Sequence, residues 1–436
     1  MGSYRIGVER ILSAAVELYH DKDGISLPIY STRRKQQAAR EREEDRWRNC
    51  GANRAARVAR PGQGGIMTVD WANIRGEFPA LAEWTYLNTA TFGQMPRRAA
   101  EAVARHFARR DELACSDFIR WFDDADGIRA RIAAFIHCAA ADIAFIHNAS
   151  AGLSLLLGGL KWQTADQIVT LEDEFPNHYY YPSHLRGCGV EFVETPWDGF
   201  YKCLTARTKL VALSTVNYST GFRPPLEEIS GELRRRGILL YLDGTQSLGA
   251  LPFDVSRVRP DLFAVDAYKW MLSPNGAGFM YVSPELRERL APAVIGWRSH
   301  KDWRNHENLH HGAPQFASEA EKYEGGMLPF ALLYAMDSVI EMMQAIGPER
   351  IEQRVMELAG LTRDVLRAAG AVLPGDSSPH YDSQVVTARF PGREAPAIAR
   401  ALQTRKVLVA ARHGNLRVSP HFYNDESDLA RLAEAI

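Results

Sequence analysis

The chain has 436 residues, 46% of them hydrophobic, and its 52 Lys and Arg nearly balance 53 Asp and Glu, for a formal net charge of -1. That is enough apolar material for a large core spread over two or three domains, and the balance excludes the basic signature of a nucleic-acid binder. No apolar run approaches the ~20 residues that span a bilayer, so neither a membrane nor a nucleic acid is an expected partner.

Five cysteines, Cys50, Cys115, Cys138, Cys188 and Cys203, form no Cys-x-x-Cys pair and no His/Cys cluster. This argues against a zinc site or a disulfide framework, and for reduced thiols in a cytoplasmic protein. Residues 1–66 read as an N-terminal extension. The start, MGSYRIGVERILSAAVEL, is a poor secretory signal because Glu9 and Glu17 interrupt its apolar stretch. Ile6 stands where a myristoylation signal needs Ser or Thr. Arg33 to Arg60 is crowded with Arg, Gln, Ala and Glu and runs into Pro61-Gly62-Gln63-Gly64-Gly65, a composition expected to be disordered or a solvated helix. Met67 offers an alternative start, and the globular texture begins there.

From about residue 85 short apolar runs alternate with amphipathic stretches. Seven runs read as strands: 143–147, 167–171, 190–194, 209–215, 238–243, 262–266 and 278–282. Helical patterns such as SAGLSLLLGGL and PLEEISGELRRRG lie between several of them. Nearly continuous, β-branched strands alternating with helices predict an α/β fold with a mostly parallel seven-stranded sheet and helices on both faces. This large domain is expected over 67–327. After residue 328 a long helix, a second helix at 350–369, strand SQVVTARF, helix APAIARALQTR, strands around VLVAA and LRVSP, and a helix at 427–436 read as a smaller α+β domain, 328–436.

Ligands of open α/β sheets bind beyond the carboxyl ends of the strands, and three such ends carry candidate chemistry. After the first strand, His147-Asn148-Ala149-Ser150-Ala151-Gly152 opens an apolar helix whose free N–H groups suit an anion such as phosphate; Asn148 or Ser150 reads equally as an N-cap. Asp243 ends ILLYLD, where a carboxylate can hold a proton on a heterocyclic nitrogen, although Asp243 and Gln246 also fit a capping box. Lys269 follows LFAVD among apolar residues, as a desolvated amine for Schiff-base or general-base work or as a snorkelling loop lysine. A fourth candidate, Arg417 in the smaller domain, has the planar fork that suits a carboxylate, whether a substrate's or a structural partner's.

In order and spacing, these segments resemble the class V family of fold-type I, pyridoxal-phosphate-dependent enzymes, which includes aminotransferases, cysteine desulfurases, isopenicillin-N-epimerase-like proteins and C–S lyases. The resemblance runs from about Trp84 to Asp428. It implies that YLNTATFGQMP (86–96) shapes the substrate side of the site, and that Ala149 and Ser150 in FIHNASAGLSLL bind the cofactor phosphate. DEFPNHYYYP (173–182) supplies a ring-stacking side chain, Phe175 or alternatively His178. Asn217 in STVNYSTGFRPPLEEI lies near the cofactor. In YLDGTQSLGALPFDV, Asp243 pairs with the pyridine nitrogen and Gln246 with the ring hydroxyl. AYKWMLSPNGAGFMYV carries Lys269, which holds pyridoxal 5'-phosphate as a Schiff base, with Tyr268 as a phosphate contact. EGGMLPF reaches the neighbouring subunit's phosphate in a homodimer, and Arg417 in RVSPHFYNDE binds the substrate carboxylate.

Three departures qualify the match. Asp266 stands where many relatives have a phosphate-touching Ser, and a carboxylate there repels phosphate unless it turns away or is neutralised. Met327 replaces a common Thr. No cysteine lies between Cys203 and Arg417, which excludes cysteine desulfurases of the usual persulfide-forming kind. The expected activity is Cα deprotonation of an amino acid with Lys269 as base, most simply an aminotransferase; a C–S lyase or an epimerase shares the same machinery. A non-catalytic regulator or scaffold of this fold is the alternative outside enzymes.

Overall fold

Seven apolar runs become the strands of one sheet: β1 (Ile143–Ile146), β2 (Gln167–Leu171), β3 (Glu191–Thr195), β4 (Thr208–Ser214), β5 (Leu239–Asp243), β6 (Leu262–Asp266) and β7 (Gly278–Val282). Their order is β1-β7-β6-β5-β4-β2-β3. The ladders joining β3, β2, β4, β5 and β6 are parallel, and β7 runs antiparallel to both β6 and β1. Every residue of β1, β2, β5 and β7 is buried, as a sheet covered on both faces requires. The computed structural model describes residues 69–436 and, before them, only the strand pair His20–Asp21 with Gly24–Ile25. The disordered extension expected over 1–66 and the alternative start Met67 otherwise lie outside the described residues.

Two cores flank the sheet. On one face Ala144, Ala212, Tyr241, Ala264 and Met280 pack with Leu153 and Leu156 of helix α3 (Ala149–Gly159). A Cβ at Gly152 would stand 3.0 Å from the Cβ of Ala264, so glycine lets α3 close down on β6. On the other face Val211, Leu213, Leu240, Leu242, Phe263 and Val265 pack with residues of α2 (Phe118–Ile136), α5 (Leu226–Arg236) and α6 (Phe330–Ile346). Helix α1 (Arg97–Leu113) lies against α6, and a short helix α4 (Asn177–His184) follows β2. Helix α7 (Pro348–Ala368) leaves α6 at an 84° bend, across Gly347 at φ 99°. Among the described residues no single helix is long and apolar enough to cross a membrane.

A second, antiparallel sheet is built from β8 (Val386–Ala388), β9 (Ala410–Arg412) and β10 (Asn415–Val418), in the order β8-β10-β9. It shares a core with α7, α8 (Ala395–Thr404) and α9 (Glu426–Ala435). Here the expected strands change. SQVVTARF contracts to three strand residues, and VLVAA divides at Val409. Val407–Leu408 pairs in parallel with Thr85–Tyr86, while Ala410–Arg412 joins β10. Local periodicity carries no information about a strand partner so distant in the chain. The stitch continues where Ser419 donates its N–H to the Leu87 carbonyl and accepts the Thr89 N–H on its own carbonyl, drawing the 86–96 segment to Arg417.

Candidate active site

Lys269 sits in a tight loop after β6 and is only 7% exposed. Its Nζ lies 5.5 Å from the centre of the Phe175 ring and 5.3 Å from that of Tyr268. Burial pushes its pKa down to about 8; Asp243 and Asp266 oppose that push, and the guanidinium groups of Arg417 and Arg412 add to it. The loop is held from two sides. Gly93 donates its N–H to the Tyr268 carbonyl at 2.9 Å, and a Cβ on Gly93 would stand 1.9 Å from the Lys269 carbonyl oxygen. From the C-terminal segment, His421 Nδ1 accepts the Phe422 N–H, which leaves the proton on Nε2 to donate to the Trp270 carbonyl at 2.9 Å.

Asp243 ends β5, 7% exposed, and its Oδ1 accepts the Thr245 N–H at 2.9 Å. The capping box open to the sequence does not form. Gln246 turns its amide elsewhere, donating to the Ala90 carbonyl and accepting from Trp270 Nε1, each at 2.9 Å. Its second N–H stays available for a ligand oxygen. Gln246 thereby ties the 86–96 segment, the β5 turn and the Lys269 loop together.

At the start of α3, Asn148 is the N-cap and its side chain accepts the Ala151 N–H. The cap and the anion readings coexist, because the N–H groups of Ala149 and Ser150 precede the capped one. The Tyr241 hydroxyl donates to the Ala149 carbonyl at 3.3 Å, fixing this helix end above β5.

Arg417, 1% exposed, donates to the Tyr218 carbonyl and the Thr91 hydroxyl, and its Nε is buried without a partner. No carboxylate pairs with it among the described residues. Desolvation first, and then Arg412, pushes its pKa down to about 9. A buried guanidinium without an anion leaves a large desolvation cost uncompensated, which a substrate carboxylate would offset. Thr91, Tyr218 and Gly93 were not singled out from the sequence. The one signal for them is their membership in the 86–96 segment and in the segment around Asn217.

The remaining candidates separate. Phe175 reaches Lys269 and packs edge-on against Tyr218 at 5.2 Å. His178 is fully buried against Tyr241, with neither ring nitrogen hydrogen-bonded. Asn217 spends its side chain locally, donating to the Asp173 carbonyl and accepting from Ser219 and Thr220. It shapes the turn that presents Tyr218. Tyr268 packs at a tilt against Phe92, ring centres 4.9 Å apart, and burial pushes its hydroxyl up to about 12. Met327 is 63% exposed on the turn after Glu324.

A phosphorylated aldehyde with a basic ring nitrogen finds an answering group for each of its functions here: an amine of depressed pKa, a strand-tip carboxylate, open helix N–H groups and an aromatic face. Beside them, the buried Arg417 Nε has no hydrogen-bond partner. Such a site on such a sheet defines the fold-type I pyridoxal-phosphate enzymes. Sequence comparison narrows the class. The family model for class-V aminotransferases matches residues 114–432, and the chain belongs to that family, whose cofactor is pyridoxal phosphate.

Among curated relatives, isopenicillin N epimerase of Streptomyces clavuligerus is 27% identical over 401 residues, covering 85% of this chain and 98% of its own. A probable cysteine desulfurase of Methanothermobacter thermautotrophicus is 24% identical over 394 residues, covering 84% and 96%. Among solved structures, cysteine desulfurase from Thermococcus onnurineus superposes with a TM-score of 0.76 at 20% identity, covering 85% and 98%. A cystine C–S lyase bound to cysteine persulfide gives 0.75 at 22%, covering 82% and 98%. At these identities the structural likeness speaks for the fold.

Proposed function

We propose that this enzyme is an aminotransferase acting on an amino acid, with Lys269 carrying the proton between substrate Cα and cofactor on one face of the site. The cofactor supplies an aldehyde that links to the substrate amine and a ring that takes up the electron pair left on Cα. Lys269 would hold that aldehyde and, once released, serve as general base; its depressed pKa keeps a usable fraction neutral near pH 7. Asp243 would keep a proton on the ring nitrogen, and Arg417 would hold the substrate carboxylate and so set which Cα bond stands perpendicular to the ring. Ala149, Ser150 and Tyr268 surround the phosphate in this reading, with Gln246 toward the ring hydroxyl.

The observation that carries the choice of one-sided proton transfer over epimerisation is Phe175. It faces Lys269 with a ring that has no proton to give or take. Inversion at Cα with two bases needs a proton carrier on each side, so a phenyl ring opposite the lysine favours one-sided transfer. Sulfur transfer to a protein thiol is disfavoured by the hairpin before Arg417. Arg412 pairs with Asn415 across His413 and Gly414, both at positive φ, which makes a two-residue turn with no loop to carry a thiol. A homodimer is supported by Val294, Ile295 and Met327, exposed apolar side chains on two loops that meet where Arg298 donates its N–H to the Gly325 carbonyl.

The test is to incubate the holoenzyme with a panel of amino acids and to follow keto acid, sulfide and stereochemical inversion in parallel. Keto acid formed with an amino acceptor, and lost in Lys269→Ala, is the expected result. Sulfide release without net amino transfer would establish the lyase instead, and inversion alone the epimerase. Salt-dependent DNA binding by residues 1–66 would argue for a regulator.

A further inference from the structure

Asp266 is the last residue of β6, and strand alternation puts its side chain on the same sheet face as Ala264. That face is covered by α3, whose Gly152 packs on Ala264. One turn back toward the helix start lie Ala149 and Ser150, level with the end of the strand. Tyr241, whose hydroxyl touches the Ala149 carbonyl, shares the face with Asp243, and Asp243 pairs in register with Ala264. Two carboxylates and an anion-binding helix end therefore enclose one corner. Gly278 of β7 stands in register between Ile146 and Asp266 and has no side chain to fill the gap.

An ionised carboxylate is poorly served in this corner. Asp266 Oδ1 is buried with no hydrogen-bond partner, and the residue's own N–H is spent on the Thr245 hydroxyl at 3.0 Å. The charged groups around it are Asp243 from β5 and Lys269 from the following loop; Tyr268 is adjacent. The first turn of α3 has no acidic residue, and His147 after β1 is exposed. Burial first, then Asp243, pushes the Asp266 pKa up to about 7, against the pull of Lys269. A phosphate dianion brought to Ala149 and Ser150 adds further negative charge beside it.

We propose that Asp266 contacts the cofactor phosphate as the neutral carboxylic acid, donating its O–H to a phosphate oxygen and taking one proton from solvent when the phosphate binds. The substitution of a carboxyl for a hydroxyl thus preserves a donor at this place, at the cost of making cofactor affinity depend on pH. The inference rests on reading Ala149 and Ser150 as the phosphate cradle. Nothing in it depends on which reaction the enzyme performs.

The probe is pyridoxine 5'-phosphate, which has the ring and the phosphate but no aldehyde, so Lys269 forms no bond to it. Binding to the apoprotein is measured by calorimetry at pH 8 in two buffers of different ionisation enthalpy. Asp266→Asn and Asp266→Ser are measured beside the wild type, and unphosphorylated pyridoxine serves as control. The wild type is expected to take up about 0.9 proton more than either variant, because a carboxyl of pKa about 7 is mostly ionised at pH 8 before binding. Above pH 8 its affinity should fall toward tenfold more per pH unit than that of the variants, and pyridoxine should show no such difference. Equal proton uptake in wild type and both variants would overturn the proposal while leaving the cofactor assignment intact. Failure of all three proteins to bind the probe, with the fold intact by circular dichroism, would overturn the phosphate cradle itself.

Discussion

Lys269 gives the most discriminating prediction, because the groups around it push its pKa in opposite directions. At a pKa of about 8, roughly one amine in eleven is neutral at pH 7; at the ordinary 10.5 the fraction is about 300-fold smaller. Only the neutral amine attacks an aldehyde. The limiting first-order rate of cofactor capture, read at ~420 nm with saturating cofactor, should therefore rise with pH to a plateau with a midpoint near 8. Arg417→Gln removes a cation that lowers the pKa, so the midpoint should move up and capture at pH 7 should slow. Asp243→Asn removes an anion that raises it, so the midpoint should move down. The linkage sign follows: between pH 8 and 10.5 the unfolded apoprotein binds the proton that folded Lys269 has lost, so the Lys269 contribution to stability grows with pH in that window. A midpoint near 10.5, or two substitutions shifting it the same way, would refute the assignment of the low pKa to this environment.

Three further outcomes follow from the packing. Gly93→Ala would put a methyl group 1.9 Å from the Lys269 carbonyl. Chemical denaturation should show a loss of about 1–3 kcal/mol, and cofactor affinity should weaken as the 86–96 segment is displaced. Glu324 is fully buried and accepts from Arg129, Arg298 and the Phe145 N–H; Glu324→Gln leaves the two buried guanidiniums only the looser, partly exposed Glu321 at 4.0 and 3.6 Å and, for Arg129, Asp126 at 3.9 Å, and should cost about 3 kcal/mol in urea unfolding. His421 is fully buried, and desolvation pushes its pKa down to about 3 from 6.5. Between those values the unfolded state holds the extra proton, so stability should fall on acidification by about 1.4 kcal/mol per pH unit. His421→Gln should lose that slope, and a slope unchanged in the variant would show that other groups dominate.

The sequence by itself determined the strands of the main sheet and which residues stand at their ends. Those strands are buried on both faces, so each carries its own signal as a continuous apolar run: QIVTL, LFAVD and GFMYV form strands with the residues their pattern marks. Asp243 and Lys269 stand out because ligand sites in such sheets follow strand ends, and the roles proposed for them rest on the family resemblance. Tertiary structure alone decided what surrounds them. The segment 86–96 has no period of its own, and it reaches Lys269 only through its pairing with Val407–Leu408 and Ser419. Phe175, just ahead of helix α4, faces the lysine, whereas His178 in the first turn of that helix faces Tyr241; no periodicity in the sequence separates the two. Asp266 read as a misfit beside a phosphate. The fold shows a half-buried carboxyl with an unpartnered oxygen beside a second carboxylate, because charge state depends on the company a residue keeps in space, and that company is drawn from separate strands, a helix end and the loop that follows.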